Sequence, residues 1–422
     1  MSFDFTVERN SSKWVLGADG YLKEYIADAP AIEFNADGSY KGVLVEPQSV
    51  NEQKASEDLD NGTYWTLGRT TIATDTETDP KGGTNSFLLS ETIDNGNHIF
   101  ITSNPQRPSI ASGETWTQSF FVKKGDGANA PDIIQLGFGE VTAFGGSDYA
   151  NFDISVGGGT SGTVTASSGG TAGIRYYGNG WYRISWTATS VASGTVAAIV
   201  IFNNDNPTAG RAPTYVGQTD ANVFIWAAQL EESPIATSYI PTTTGAVTRV
   251  KDDIYLTSAS SLIGQTEGTM FIEVDWRNAS GQTQRLLVLS DSTNQNLIQL
   301  NKTSGNDIEM FVKANNVTEV NKGVDASSYS GVQKLAIAYA ENDFEFYRNG
   351  SSIATDTSGS LASLATLTDI DFGQQQSALL QANMWIRAVA LFTTRLSDAE
   401  AYSLTGYDTY AQMANALQYT IL

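Results

Sequence analysis

Thr115-Trp-Thr-Gln-Ser-Phe-Phe-Val122 decides the architecture of this chain. Trp116, Phe120 and Val122 fall on one face of an extended strand, with Thr117 and Ser119 on the other. The pattern recurs in Asp132-Ile-Ile-Gln-Leu-Gly-Phe138, Trp181-Tyr-Arg-Ile-Ser-Trp186, Val196-Ala-Ala-Ile-Val-Ile-Phe202 and Asn222-Val-Phe-Ile-Trp226. Gly, Asn, Asp and Pro separate these runs. Regularly spaced short strands predict a jelly-roll β-sandwich over residues 51–245. The Gly/Ser/Thr-rich stretch from Gly157 to Gly173 reads as a mobile loop with room for a short strand at Thr163-Val-Thr165.

Downstream, Ile240-Pro-Thr-Thr-Thr-Gly245 reads as a linker, and a second all-β unit follows over 246–398. Its clearest piece is Lys334-Leu-Ala-Ile-Ala-Tyr339, then Asp343-Phe-Glu-Phe-Tyr347, then Asn349-Gly350, the strongest short-range hairpin signal. Ser397-Asp-Ala-Glu400 fits a capping box, so a short helix is expected to begin there. A second helical piece is expected over Tyr410 to Leu417, which makes 399–422 a helical C-terminal tail. Upstream, residues 1–50 read as an N-terminal attachment segment. Phe3, Phe5 and Val7 alternate with polar residues, and Ala18-Asp-Gly20 and Ala36-Asp-Gly38 mark turns before Gly42-Val-Leu-Val-Glu46.

Composition narrows the function classes. A chain of 422 residues exceeds what one core usually serves, about 250–300 residues. Its 46 acidic and 24 basic residues give a net charge of −22, which repels a phosphate backbone, so no nucleic-acid partner is expected. Anionic lipid surfaces are disfavoured for the same reason, and no apolar run is long enough for membrane insertion. The absence of cysteine excludes disulfides, thiolate metal sites and cysteine nucleophiles. The first residues, MSFDFTVERN, lack the basic and apolar regions of an export signal.

A run of phrases then carries a resemblance. Ser119-Phe-Phe-Val-Lys123, Asp148-Tyr-Ala-Asn-Phe-Asp-Ile-Ser155, Asn179-Gly-Trp-Tyr-Arg183, Ile225-Trp-Ala-Ala-Gln-Leu-Glu231 and Ser238-Tyr-Ile-Pro-Thr-Thr243 occur in this order, ahead of Thr248-Arg249. Together with Ala18-Asp-Gly-Tyr-Leu22 and Gly42-Val-Leu-Val-Glu-Pro47, they resemble the carbohydrate-binding-module-like jelly rolls of phage head-spike and tail-fibre proteins. The resemblance covers about residues 1–250. The last unit resembles the laminin-G and concanavalin-like lectin sandwich, through Gly268-Thr-Met-Phe-Ile-Glu-Val274, the Tyr347–Gly350 hairpin and Ala388-Val-Ala-Leu-Phe392. These resemblances imply a protein of the virion surface, with capsid or tail proteins and host-surface glycans as partners. They also imply a homotrimer, by analogy with fibres. A purely structural capsid decoration protein and a polysaccharide-degrading glycosidase or lyase are the alternatives.

The chemistry of individual residues points to binding rather than turnover, so no catalytic residue is assigned. Glu273 and Asp275 share one strand face about 6.6–7 Å apart, as do catalytic carboxylates of lectin-fold β-glucanases. The third acid such a site needs falls near Arg277 and Asn278, which cannot protonate a leaving group. His98 is the single histidine, and no nucleophile elbow accompanies it. No cofactor is expected. Asn203-Asn-Asp-Asn206 and Asp291-Ser-Thr-Asn294 offer oxygen ligands for a structural calcium, and are equally ordinary turns. Sugar rings stack on aromatic faces, which nominates Trp65, Tyr149, Tyr176, Tyr177 and Trp181 as carbohydrate-binding candidates. Each suits a sandwich core as well. Tyr176 and Tyr177 are adjacent, so one faces in and the other out.

Overall fold

Thr115–Lys124 lies between Trp181–Thr189 and Asn222–Glu231 in an antiparallel sheet, with Phe120 opposite Ile184 and Val122 opposite Tyr182. The computed structural model describes residues 5–155, 162–277, 283–375, 381–407 and 412. Among them the fold is all-β, with one short α-helix near the C-terminus. No helix among the described residues is long and apolar enough to cross a membrane.

The first sandwich has two six-stranded antiparallel sheets. One runs in the order 171–178, 181–189, 115–124, 222–231, 86–91, 70–75, and the other 163–168, 149–153, 133–138, 198–202, 98–102, 65–68. Phe120, Val122, Ile184, Trp186, Ile225 and Leu230 of the first sheet meet Phe100, Ile134, Leu136, Phe152 and Val200 of the second. Each such side chain fully removed from water stabilises the fold by about 1.5–3 kcal/mol. The expected Gly-rich loop is in large part structured: Thr163–Ser168 and Thr171–Gly178 are strands, joined at Gly169, whose φ of 82° suits glycine. Residues 157–161 of that stretch lie outside the described residues.

The second sandwich has two seven-stranded sheets. Met270, Ile272 and Val274 of Glu267–Trp276 pack against Leu287, Leu289, Ile298 and Leu300 of the facing sheet. The expected hairpin is present. Asp343–Arg348 and Ser351–Asp356 pair antiparallel around Asn349 and Gly350, whose φ values of 45° and 78° are those of a tight hairpin turn. Ser397 caps the helix Asp398–Gly406 with a complete capping box. Ala401 and Leu404 bury against Phe271, Ala336, Ala338 and Tyr347, so the helix is a packed part of the second sandwich rather than a tail. Apart from Gln412, the expected Tyr410–Leu417 helix lies outside the described residues.

The N-terminal residues correct the expected boundaries. Instead of standing apart as an attachment segment, they are built into the second sandwich. Thr6–Glu8 pairs with Asp253–Leu256, and Tyr40–Val45 pairs with Met384–Phe392 and with Ile32–Phe34. Phe5 meets Phe372 edge-on, while Phe3 lies outside the described residues. Between these strands the hairpin Lys13–Leu16/Leu22–Tyr25 forms a wedge between the sandwiches. Its Leu16 and Leu22 cover an outer aromatic layer of the first sandwich, and Val15 packs with Leu44 and Trp385 of the second. The expected linker is docked as well. Tyr239 and Ile240 are buried, and the Thr242 N–H donates to Ser56 Oγ at 2.8 Å.

Candidate functional site

Three turns converge along the seam between the first sandwich and the N-terminal wedge. Ala18-Asp19-Gly20 closes the hairpin of the wedge, Ala36-Asp37-Gly38 closes the turn between Ile32–Phe34 and Tyr40–Val45, and Gly178-Asn179-Gly180 links two strands of the sandwich. Gly20, Gly38, Gly178, Asn179 and Gly180 all have positive φ, which lets the backbone turn this sharply. Asn179 Nδ2 donates to Gly20 O at 3.4 Å and ties two of the turns together. They enclose an open recess of about 390 Å³, into which Asp19, Asp37, Tyr176 and Asn179 contribute. Tyr176 is half-buried, its ring 5.1 Å from that of Tyr182, and its hydroxyl accepts from the Gly180 N–H at 3.2 Å. Hydrogen bonding to Lys23 holds the Asp19 carboxyl below its ordinary range, and the Ser39 side chain does the same for Asp37. Both are therefore acceptors at neutral pH.

Farther along the hairpin that ends at Asp37, a charged cluster surrounds Trp385. The indole N–H donates to Glu33 Oε2 at 2.5 Å, and Arg175 pairs with Glu33 Oε1 at 2.5 Å. Lys41 Nζ stands 3.7 Å from the Trp385 ring centre, with the Arg277 and Arg175 guanidinium carbons 5.1 and 5.9 Å away. Burial lowers the Lys41 ammonium to about 8, and repulsion from Arg175 and Arg277 adds to it. Burial also opposes ionisation of Glu33, but Arg175, Lys41 and the indole outweigh it and keep that carboxyl low. Asp275 faces the same cluster, its carboxyl raised by burial against the pull of Lys41, Arg387, Arg277 and Arg175.

The candidate aromatics scatter. Trp65 is buried in the first core, stacked 4.5 Å from Phe100, and Trp181 is buried under the wedge with its N–H donating to Thr78 O at 2.8 Å. Tyr177 is buried beside Phe121. These three give no open face to a ligand. Tyr149 is half-exposed on the opposite sheet, away from the seam. Tyr176 alone of the five lines the recess. Asp19, Asp37, Asn179, Lys41 and Trp385 were not nominated. For Asp19, Asp37 and Asn179 the only signal in sequence is turn chemistry, which does not say which turns meet, and Lys41 and Trp385 lie in strands that carry no signal of their own.

The other candidates have structural partners. Glu273 and Asp275 do share a face, since Met270, Ile272, Val274 and Trp276 fill the core, but Arg387 Nε holds Glu273 Oε1 at 2.8 Å. His98 is buried, with Nδ1 2.7 Å from Arg69 O. Asp205 Oδ1 accepts from the Asp132 and Ile133 N–H groups, and Asp291 Oδ1 from that of Thr293. Among the described residues no three His, Asp or Glu side chains converge as a metal site.

No protein-family model matches the sequence, and no curated protein matches it. Solved structures with similarity include the CBM40 module of Ruminococcus gnavus IT-sialidase, at 16% identity over 35% of this chain and 87% of that one, with a TM-score of 0.31. The NanB sialidase of Streptococcus pneumoniae is similar at 15% identity over 35% of this chain and 26% of its own, also at 0.31. A structure of botulinum neurotoxin type C, whose cell entry depends on two ganglioside molecules, is similar at 16% identity over 40% and 41%, again at 0.31.

Proposed function

We propose that this chain is a glycan-binding adhesin of a phage surface, a head spike or fibre or a tail-fibre component, and that it binds without turnover. The seam recess carries the reading: it sets one half-buried aromatic, Tyr176, beside two ionised carboxylates and an amide. An aromatic body packs against the apolar face of a sugar ring, and planar acceptors and donors take its hydroxyls. The virion setting rests on the ordered phrases from Ser119 to Thr243. A shallow recess of this kind gives weak single-site binding, and many copies on one particle convert it into avidity.

Binding of the purified protein to an array of bacterial surface saccharides tests the reading, with Tyr176→Ala as the control that loses signal. An array with no binding overturns it. The decoration alternative draws on one observation, the charged and fully buried junction between the sandwiches, which suits a rigid cementing part. Loss of capsid stability on deletion, with no saccharide bound, would establish that alternative.

A further inference from the structure

We propose that the seam carries a second, charge-selective subsite at Trp385, where Lys41 receives the carboxylate of an acidic saccharide and Asp275 accepts hydrogen bonds from its hydroxyls. The inference rests on the glycan-binding reading and names the class of sugar.

The argument begins with which charges are already committed. Arg175 is paired with Glu33 at 2.5 Å, Arg277 with Glu46 at 3.1 Å and Arg387 with Glu273 at 2.8 Å. Lys41 and Asp275 are left over. Lys41 makes no ion pair with a described residue and rests on the indole ring, and Asp275 accepts no hydrogen bond from a described residue. Both are only partly covered, so solvent reaches them. A desolvated ammonium repelled by Arg175 and Arg277 gains most from a new anion, because the anion relieves that repulsion. A charged donor over an indole face, with a charged acceptor on the same cluster, matches a uronic-type sugar, which carries a carboxylate and hydroxyls on one ring.

Placement supports the same ligand. Asp37, in the recess, and Lys41 lie on one hairpin four residues apart, and since the turn shortens the path, their Cα atoms are separated by at most about 13 Å. A short oligosaccharide can therefore reach from Tyr176 to Lys41. On the strand Thr171–Gly178, Tyr176 turns toward Tyr182 and Arg175 toward Glu33, so the hairpin that carries Asp37 and Lys41, rather than this strand, links the two places. The chain as a whole carries −22, which disfavours anions, so Lys41, the cation of this cluster without an ion pair among the described residues, supplies selectivity that the surface at large does not.

Titration calorimetry with a glucuronic-acid-terminated disaccharide and its carboxyl-reduced counterpart tests the proposal. At pH 7 the wild type is expected to bind the acidic form roughly tenfold more tightly, the scale of one charge-assisted hydrogen bond. The ratio should shrink between pH 7 and 9, as Lys41 loses its proton near 8. Lys41→Gln should bring the ratio to one, and Lys41→Arg should preserve it at pH 9. Equal binding of both sugars by the wild type, or an unchanged ratio in Lys41→Gln, overturns the subsite and leaves the recess intact. If neither sugar binds, or Tyr176→Ala binds both as the wild type does, the glycan reading falls with it.

Discussion

Lys13 Nζ donates to Asp252 Oδ2 at 2.6 Å, joining the wedge to the start of the second sandwich across 239 residues, with both side chains sealed from solvent. Lys13 also lies 3.1 Å from Glu46 Oε2, and Arg9 pairs with Asp252 Oδ1 at 2.9 Å. Arg249 and Arg277 approach Glu46 from the docked segment and from the strand end beyond Trp276. Backbone carbonyls of Ser11, Ile26, Leu44 and Pro47 accept from further N–H groups of Arg9, Lys13 and Arg249. Four cations and two carboxylates thus fasten the wedge and both sandwiches at one place.

Removing one partner from this cluster leaves a buried charge uncompensated. Glu46→Gln and Asp252→Asn are each expected to lose about 3–5 kcal/mol of stability, read as a lower urea midpoint. Burial opposes ionisation of Glu46, but Lys13, Arg249, Arg277 and the Ser238 N–H prevail and hold its carboxyl far below the usual range. A depressed carboxyl contributes stability above about 4.5, its unfolded value, and loses it as pH falls toward the depressed one. Acid unfolding should therefore flatten in Glu46→Gln.

Asp148 should show the opposite sign. Burial raises its carboxyl to about 6, although the Phe138 N–H and Arg211 favour the ionised form. Its contribution is full below about 3.8 and is lost as pH rises through about 6. Melting temperatures of the wild type and Asp148→Asn from pH 4 to 8 check this. The variant should gain on the wild type between about pH 4 and 6 and hold that gain above 6, and a constant difference would count against the assignment.

Trp181 and Tyr176 should separate stability from binding. Trp181→Ala opens a cavity under the wedge and removes the bond to Thr78, at a cost of about 3–5 kcal/mol. Tyr176→Ala removes a half-buried ring, at about 1–2 kcal/mol, while lowering saccharide affinity. Denaturation and binding assays on both variants distinguish the roles.

Gly350→Ala should destabilise the second sandwich by about 1–2 kcal/mol, because φ of 78° is costly for any residue with a Cβ. The new Cβ would also stand 3.1 Å from Gly406 Cα, at the end of the packed helix. Thermal unfolding reads the loss.

Much of the fold was legible because it is written in short-range chemistry. The period of two placed the strands, Asn349-Gly350 placed a hairpin, and Ser397 with Glu400 placed a helix start. The site was far less legible. Alternation put Tyr176 and Tyr177 on opposite faces of one strand, but it could not show that the outer face is covered too. Phe121, Tyr177, Trp181, Phe224 and Trp226 form that outer layer, and Leu16 and Leu22 close it.

The sequence by itself determined an all-β chain of two sandwiches with few charges and no cysteine chemistry, since periodicity and composition act within a strand or a turn. Tertiary structure alone decided that residues 6–45 join the second sandwich and wedge it to the first. It also decided that Asp19, Asp37, Tyr176 and Asn179 meet around one recess. The reason is that burial depends on which second layer covers a face. In this chain that layer comes from residues about a hundred or more positions away, paired through hydrogen bonds and charges that no local pattern encodes.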